Sequence, residues 1–331
     1  MSKVKKVYFS ILAIILFTFI FGTVTYAWIS LADISSLDGL SLTATTGEHL
    51  EISLDGQTFS TTIDGDHLNS YFENVTLNDL TSRDGITFYQ GGLRERLEAI
   101  PNQEYISFDL WFRTTEVEKH IYLVDNINHL VSYQQHDEVG TFVISRGVRW
   151  VAKQTFLNGP NPIEDMVQRG SEDIYFASDA IRISVIEQQN ELNPFDQREE
   201  HELQRLIYDP SENPERGFGK HYGAFHYFMI ASGLTNFRLP TYTPPTVYEL
   251  TQFAPYDPYQ AIDNNSLVAE LIPNGEYDQR GRAYYVGKVT VNIWIEGWDA
   301  DAFDAIHRDR VVIGLAFKSG KPFIEPNNGF N

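Results

Sequence analysis

The densest group of chemically capable side chains is an acidic run of four, Glu296, Asp299, Asp301 and Asp304, directly after a strongly alternating β-type segment. Hard cations such as calcium take several carboxylate oxygens at once, and Asp299 and Asp301, two apart in a loop, can present theirs to one centre. The EF-hand pattern does not continue. Phe303 and Ala305 stand where further ligands are needed, and the sixth position from Asp299 is Asp304 instead of glycine. A calcium site and a solvated turn in which aspartate caps a helix are the two readings of this run. No other cofactor is expected.

The remaining constellations point away from common chemistries. His201-Glu202 opens like a zinc-protease helix, but the residue four places after His201 is Arg205, so the pair cannot clamp zinc. His221 and His226 are five apart, on different faces of a helix or a strand, which favours packing among their aromatic neighbours. There is no G-x-S-x-G elbow and no glycine-rich phosphate loop. The paired carboxyls of a glycosidase are placed by the fold, so 45 Asp+Glu leave that reaction open. Trp294, Trp298 and Tyr284 are candidates for an aromatic sugar platform, with packing under a loop as the alternative for Trp294. Cysteine is absent, which excludes thiol catalysis, cysteine-ligated zinc and iron–sulfur chemistry and leaves stability to packing.

Composition is that of a globular protein, 42% hydrophobic and 21% charged, with a formal charge of −20. Three of the cations, Lys3, Lys5 and Lys6, lie ahead of the apolar N-terminal run, so the rest of the chain is more acidic still. Such a surface repels nucleic acid, which is not an expected partner.

The elements that must position these residues are short β-type runs. Tyr105 to Arg113, Ala180 to Ile186, Lys288 to Glu296 and Val311 to Lys318 carry alternating apolar faces and are expected to meet in one core, joined by Ile121 to Val124 and Thr141 to Ser145. Leu40 to Thr45 and Leu50 to Leu54 are expected to form a hairpin, and Asp55-Gly56 a turn. The stretch 187–281 holds nine of the 14 prolines. It is expected to be a long irregular, Pro- and aromatic-rich insertion, with a short helix over Gln197 to Leu206 and a packed aromatic segment from Tyr222 to Ile230. The expected fold class is mainly β: an antiparallel β-sandwich spanning 29–331 with a long excursion, preceded by one N-terminal hydrophobic helix.

That helix sets the expected compartment. Val7 to Trp28 carries no charge, and a helix of this length spans roughly 33 Å, enough to cross a bilayer. The lysines before it stay on the cytoplasmic side, which places the chain beyond Trp28 outside. Thr25-Tyr26-Ala27 offers small residues at the two positions a signal peptidase reads, so cleavage between Ala27 and Trp28 is expected, with retention of 1–28 as a membrane anchor as the other outcome. Signal peptidase is thus one expected partner, and the membrane is contacted through residues 7–28 at least before processing.

The N-terminus KVKKVYFSILAIILFTFIFGTVTYAWIS, its continuation ISSLDGLSLTATTGEHLEISLDG and the closing VTVNIWIEGWDADAFDAI and VVIGLAFKS together resemble exported Gram-positive proteins of the TasA/camelysin group, processed by a dedicated signal peptidase. The resemblance is limited to the N-terminal segment and the C-terminal strands. It implies a jelly-roll-like sandwich and assembly in an extracellular biofilm matrix. The camelysin branch is proteolytic, but this chain has no zincin motif to carry that activity, and its Pro-rich middle is much longer than in compact fibre subunits.

The expected function is an exported cell-surface or extracellular-matrix structural or interaction protein without enzymatic activity; the alternative is a surface carbohydrate-binding protein or hydrolase. Self-assembly or cell-wall and matrix components are the expected partners. The segment Trp28 to Leu37, with Trp28, Ile29, Leu31 and Ile34 as its apolar residues, is expected either to donate a strand to a neighbouring subunit or to act as a spacer from the membrane.

Overall fold

Strict alternation in the strand Ala283–Glu296 buries Val289, Val291, Ile293 and Ile295 on one face. They pack in one cluster with Ile106, Leu110 and Phe112 of Ile106–Thr114 and with Ile181, Ile183 and Val185 of Ile181–Gln188. These three strands are antiparallel neighbours in an eight-stranded sheet. Leu40 and Leu42 of Ser35–Ala44, with Val311, Ile313, Leu315 and Phe317 of Arg310–Gly320, enter the same cluster from a second, seven-stranded sheet. Full burial of one such side chain contributes about 1.5–3 kcal/mol, so this shared cluster is the main bond between the sheets.

A computed structural model describes residues 35–324 apart from 46–49, 64, 66, 67, 69–71, 73, 74, 91–96, 192 and 236. Strand accounts for 44% and helix for 8%, so the chain is mainly β. Among the described residues no helix is long and apolar enough to cross a membrane. The expected N-terminal helix, the cleavage residues Thr25, Ala27 and Trp28, and the donation residues Trp28, Ile29, Leu31 and Ile34 lie outside the described residues.

Several expectations about connectivity are corrected. The sheets are mixed: Ser35–Ala44 runs parallel to Arg310–Gly320, and Asp79–Ser82 runs parallel to the end of Ala283–Glu296. Leu40–Ala44 and Leu50–Ser53 form no hairpin. The first pairs with Arg310–Gly320 and Thr62–Ile63 in one sheet, the second with Ile106–Thr114 in the other. Alternation marks which face of a strand is buried and is silent on which sheet the strand joins. Asp55-Gly56 does turn the chain: Gly56 adopts φ 69°, and Ile52 and Ser60 bridge across the loop. Asp38-Gly39 is a bulge inside one continuous strand, where the register moves from Leu37↔Val311 to Gly39↔Val312. Ser35 to Leu37 are therefore paired within their own sheet.

The Pro-rich stretch also contributes regular structure. Arg205–Tyr208 pairs with Ile181–Gln188, and Leu267–Glu270 with His120–Leu123, so the stretch feeds both sheets. Two of its prolines sit where they cost little: Pro210 lies just past a strand, and Pro273 lies in the strand Ile272–Tyr277, next to a break in register. The short helix expected over Gln197 to Leu206 is only a 3-10 turn, Glu200–Glu202, before the strand.

Candidate functional site

Arg182 lies on the face of Ile181–Gln188 opposite the core and is 2% exposed. Its Nη1 donates to the carbonyl of Ile181 at 2.9 Å. Its Nη2 pairs with Asp209 at 2.7 Å and donates to Asp299. Asp299 Oδ1 accepts the backbone N–H of Asp301 at 2.9 Å, which tightens the acidic loop. Glu296 accepts from the indole Nε1 of Trp294 at 3.1 Å and from the backbone of Trp298 at 3.2 Å. The next acid, Asp301, is gripped by Arg216, whose Nε lies 2.8 Å from Oδ2. Arg216 also donates to Asn158 Oδ1 at 3.1 Å, reaching another loop. Asp304 Oδ2 accepts from Tyr227 Oη at 2.9 Å and from Lys153 Nζ at 3.2 Å.

The structure thus keeps the four acids of the run together, at the end of Ala283–Glu296 and in the turn after it, and gives them separate protein partners. Their charges hold strands, loops and a helix together. Burial opposes the charge of Arg182, but Asp299, Asp209 and Glu296 outweigh it and raise its pKa. Three carboxyls around one guanidinium cannot all be neutralised by it, and burial raises Asp299 and Asp209 and pushes Glu296 up to about 7. At neutral pH the cluster therefore retains protons.

Beside this cluster lies a cavity of about 340 Å³. Its upper wall is the helix Ala224–Ser232, which begins after Gly223 and ends at Gly233 in the left-handed conformation with φ 66°. Gly223 itself has φ 62°, and a Cβ there would run into the carbonyl oxygen of Ala300. Only glycine allows this approach, by which Ala224 N donates to that same carbonyl at 2.7 Å and ties the helix start to the acidic loop. Phe225 and Phe228 come from the helix; Phe237 stacks on Phe225 at 5.6 Å and on Trp298 at 5.5 Å. These four rings form the aromatic side of the cavity.

Asp79, Lys153, Gln154 and Asp304 supply polar groups to its walls. Asp79 opens the strand Asp79–Ser82 and lies opposite Ile295 in the neighbouring strand. Burial pushes its carboxyl up to about 7, opposed only by its own backbone N–H. Two further wall residues have a buried polar atom without a hydrogen-bond partner among the described residues, Trp298 at Nε1 and Asp304 at Oδ1.

The expected sugar platform is not assembled. Trp294 is 1% exposed and packs edge-on against Phe88 at 4.9 Å, Tyr284 lies under Arg113 at the far end of the same strand, and of the three only Trp298 reaches the cavity. His226 accepts the backbone N–H of Leu157 at 3.0 Å, and burial lowers its pKa, which fits a neutral packing histidine. His201 is exposed beside Glu199. Sequence patterns do not mark Asp79, Lys153 or Phe237, because their only signal is proximity in space. The aromatic run around Phe225 is visible in the sequence, but as core packing.

Comparison with protein-family models, with curated proteins and with solved structures gives no match.

Proposed function

We propose that this chain is an exported cell-surface or extracellular-matrix protein whose two sheets form a jelly-roll-like sandwich, and that it binds partners without carrying out a reaction. Export rests on the charge-free run Val7 to Trp28 behind Lys3, Lys5 and Lys6. The observation that carries the binding reading is the aromatic cavity beside a loop whose acids are engaged in ion pairs: Asp299 with Arg182, Asp301 with Arg216, Asp304 with Lys153. Acids held this way brace a binding site and are poorly placed to exchange protons with a substrate. Protease treatment of intact cells making the full chain tests the proposal. Degradation of the domain without lysis supports export, and protection until lysis refutes it.

One observation favours a hydrolase as a second reading. Asp79 and Asp304 line the same cavity, and Asp79 stays protonated up to about pH 7, the pairing of a raised acid with a second carboxyl that glycoside cleavage uses. Turnover of aryl glycosides that disappears in Asp79→Asn would establish this reading; no turnover by the parent protein leaves the binding one.

A further inference from the structure

Asp79 is the group on the cavity wall whose charge the protein leaves uncompensated. The other wall carboxylate, Asp304, has Lys153 and Tyr227. Among the described residues no lysine, arginine or histidine pairs with Asp79, and its own backbone N–H is the one group that favours its charged form. Asp79 is half-buried, and a carboxylate partly withdrawn from water without a cation carries a cost that a bound cation relieves. The same cavity is lined by Phe225, Phe228, Phe237 and Trp298, and aromatic rings attract cations and cover hydrocarbon. A metal ion needs several oxygens, which these rings do not offer. A neutral sugar supplies hydroxyls but no charge for Asp79, and an organic anion would meet two carboxylates against one lysine that is already paired.

Resting on the reading of the cavity as a binding site, we infer that it takes a small organic ammonium whose N–H groups donate to the Asp79 carboxylate while its aromatic or branched aliphatic body lies against Phe225, Phe228, Phe237 and Trp298. The volume of about 340 Å³ is at the lower end of what small-molecule sites enclose. Bound cation also favours ionised Asp79, so uptake of the ammonium releases a proton near neutral pH, where burial alone holds this carboxyl at about 7. The other titratable and charged groups that face the same space are Asp304, Lys153, Tyr227 and His307.

Calorimetric titration of the full chain in neutral detergent tests the inference with three probes: 2-phenylethylammonium, its neutral isostere 2-phenylethanol, and glucose. The ammonium is expected to bind at least about tenfold more tightly than the alcohol at pH 8, the advantage of a charge-assisted hydrogen bond. Asp79→Asn should abolish that preference while the alcohol still binds, and Phe237→Leu should weaken both while leaving the preference intact. Equal affinity for ammonium and alcohol, or a preference that survives in Asp79→Asn, overturns the assignment. Glucose binding with no ammonium binding overturns it too but leaves the cavity a binding site. No saturable binding of any probe overturns the assignment and removes the cavity as support for the binding reading, while export keeps its own test.

Discussion

Replacing Arg182 by methionine removes the single guanidinium among three buried carboxyls, Asp209, Asp299 and Glu296, at a position 2% exposed to solvent. Methionine fills part of the volume, so the dominant loss is electrostatic. Breaking a buried pair from one side costs about 3–5 kcal/mol, because the other charge stays behind without compensation. Asp299 and Glu296 already sit above the ordinary carboxyl range through burial, with Arg182 pulling both down. Without it they rise further, and the folded variant binds more protons than the parent between pH 5 and 8. Stability falls with pH wherever the folded state holds more protons than the unfolded one, so the variant must lose stability more steeply as pH rises. Urea unfolding followed by tryptophan fluorescence at pH 5 and pH 8 should give a loss of about 3–5 kcal/mol at pH 8 and about 1–2 kcal/mol at pH 5, where protonation neutralises the cluster. Adding Asp209→Asn and Asp299→Asn to the variant should recover part of the loss at pH 8. A loss below about 1 kcal/mol at pH 8, or an equal loss at both values, would refute the reasoning that this arginine is the counter-charge of the acidic loop.

Gly223→Ala places a Cβ against the Ala300 carbonyl at a backbone φ of 62° and should cost about 1–3 kcal/mol, read as a lower Tm and faster proteolysis near the helix Ala224–Ser232; an unchanged Tm would mean that the helix docks otherwise. Asp79 has a folded pKa raised to about 7, so its contribution is fully present below the unfolded value of about 3.9 and is lost as pH rises through about 7. Asp79→Asn should therefore gain about 1–3 kcal/mol relative to the parent between pH 5 and pH 8, and a flat difference across that range contradicts the assignment. Calcium at millimolar concentration should leave Tm unmoved, since Asp299, Asp301 and Asp304 already pair with Arg182, Arg216 and Lys153. A calcium-dependent rise in Tm that Asp299→Ala with Asp301→Ala abolishes would show that the ion displaces those arginines.

The part of the fold legible in the sequence is whatever a two-residue period records. Ile106–Thr114, Ile181–Gln188, Ala283–Glu296 and Arg310–Gly320 match the alternating segments to within a few residues at their ends, and their apolar faces share one cluster. Pairing is not legible, since the parallel contact of Ser35–Ala44 with Arg310–Gly320 joins residues some 270 positions apart and leaves no local trace. Counting prolines misjudges 187–281 because a proline matters by its position: Pro210 and Pro273 fall at a strand end and beside a break in register. The acidic run stands out by its density, but its arginines come from sequence-distant segments. Alternation assigns Arg182 only to a face opposite the core, and nothing in the sequence distinguishes a solvent face from one covered by a loop.

The central claim is export, and the N-terminus of the native protein tests it most directly. Intact-mass and N-terminal sequencing of the protein recovered from the cell surface and the surrounding medium should give a chain beginning at Trp28, or a full-length chain held in the membrane fraction with its domain open to external protease. A full-length chain found in the soluble contents of the cell and shielded until lysis would contradict the account.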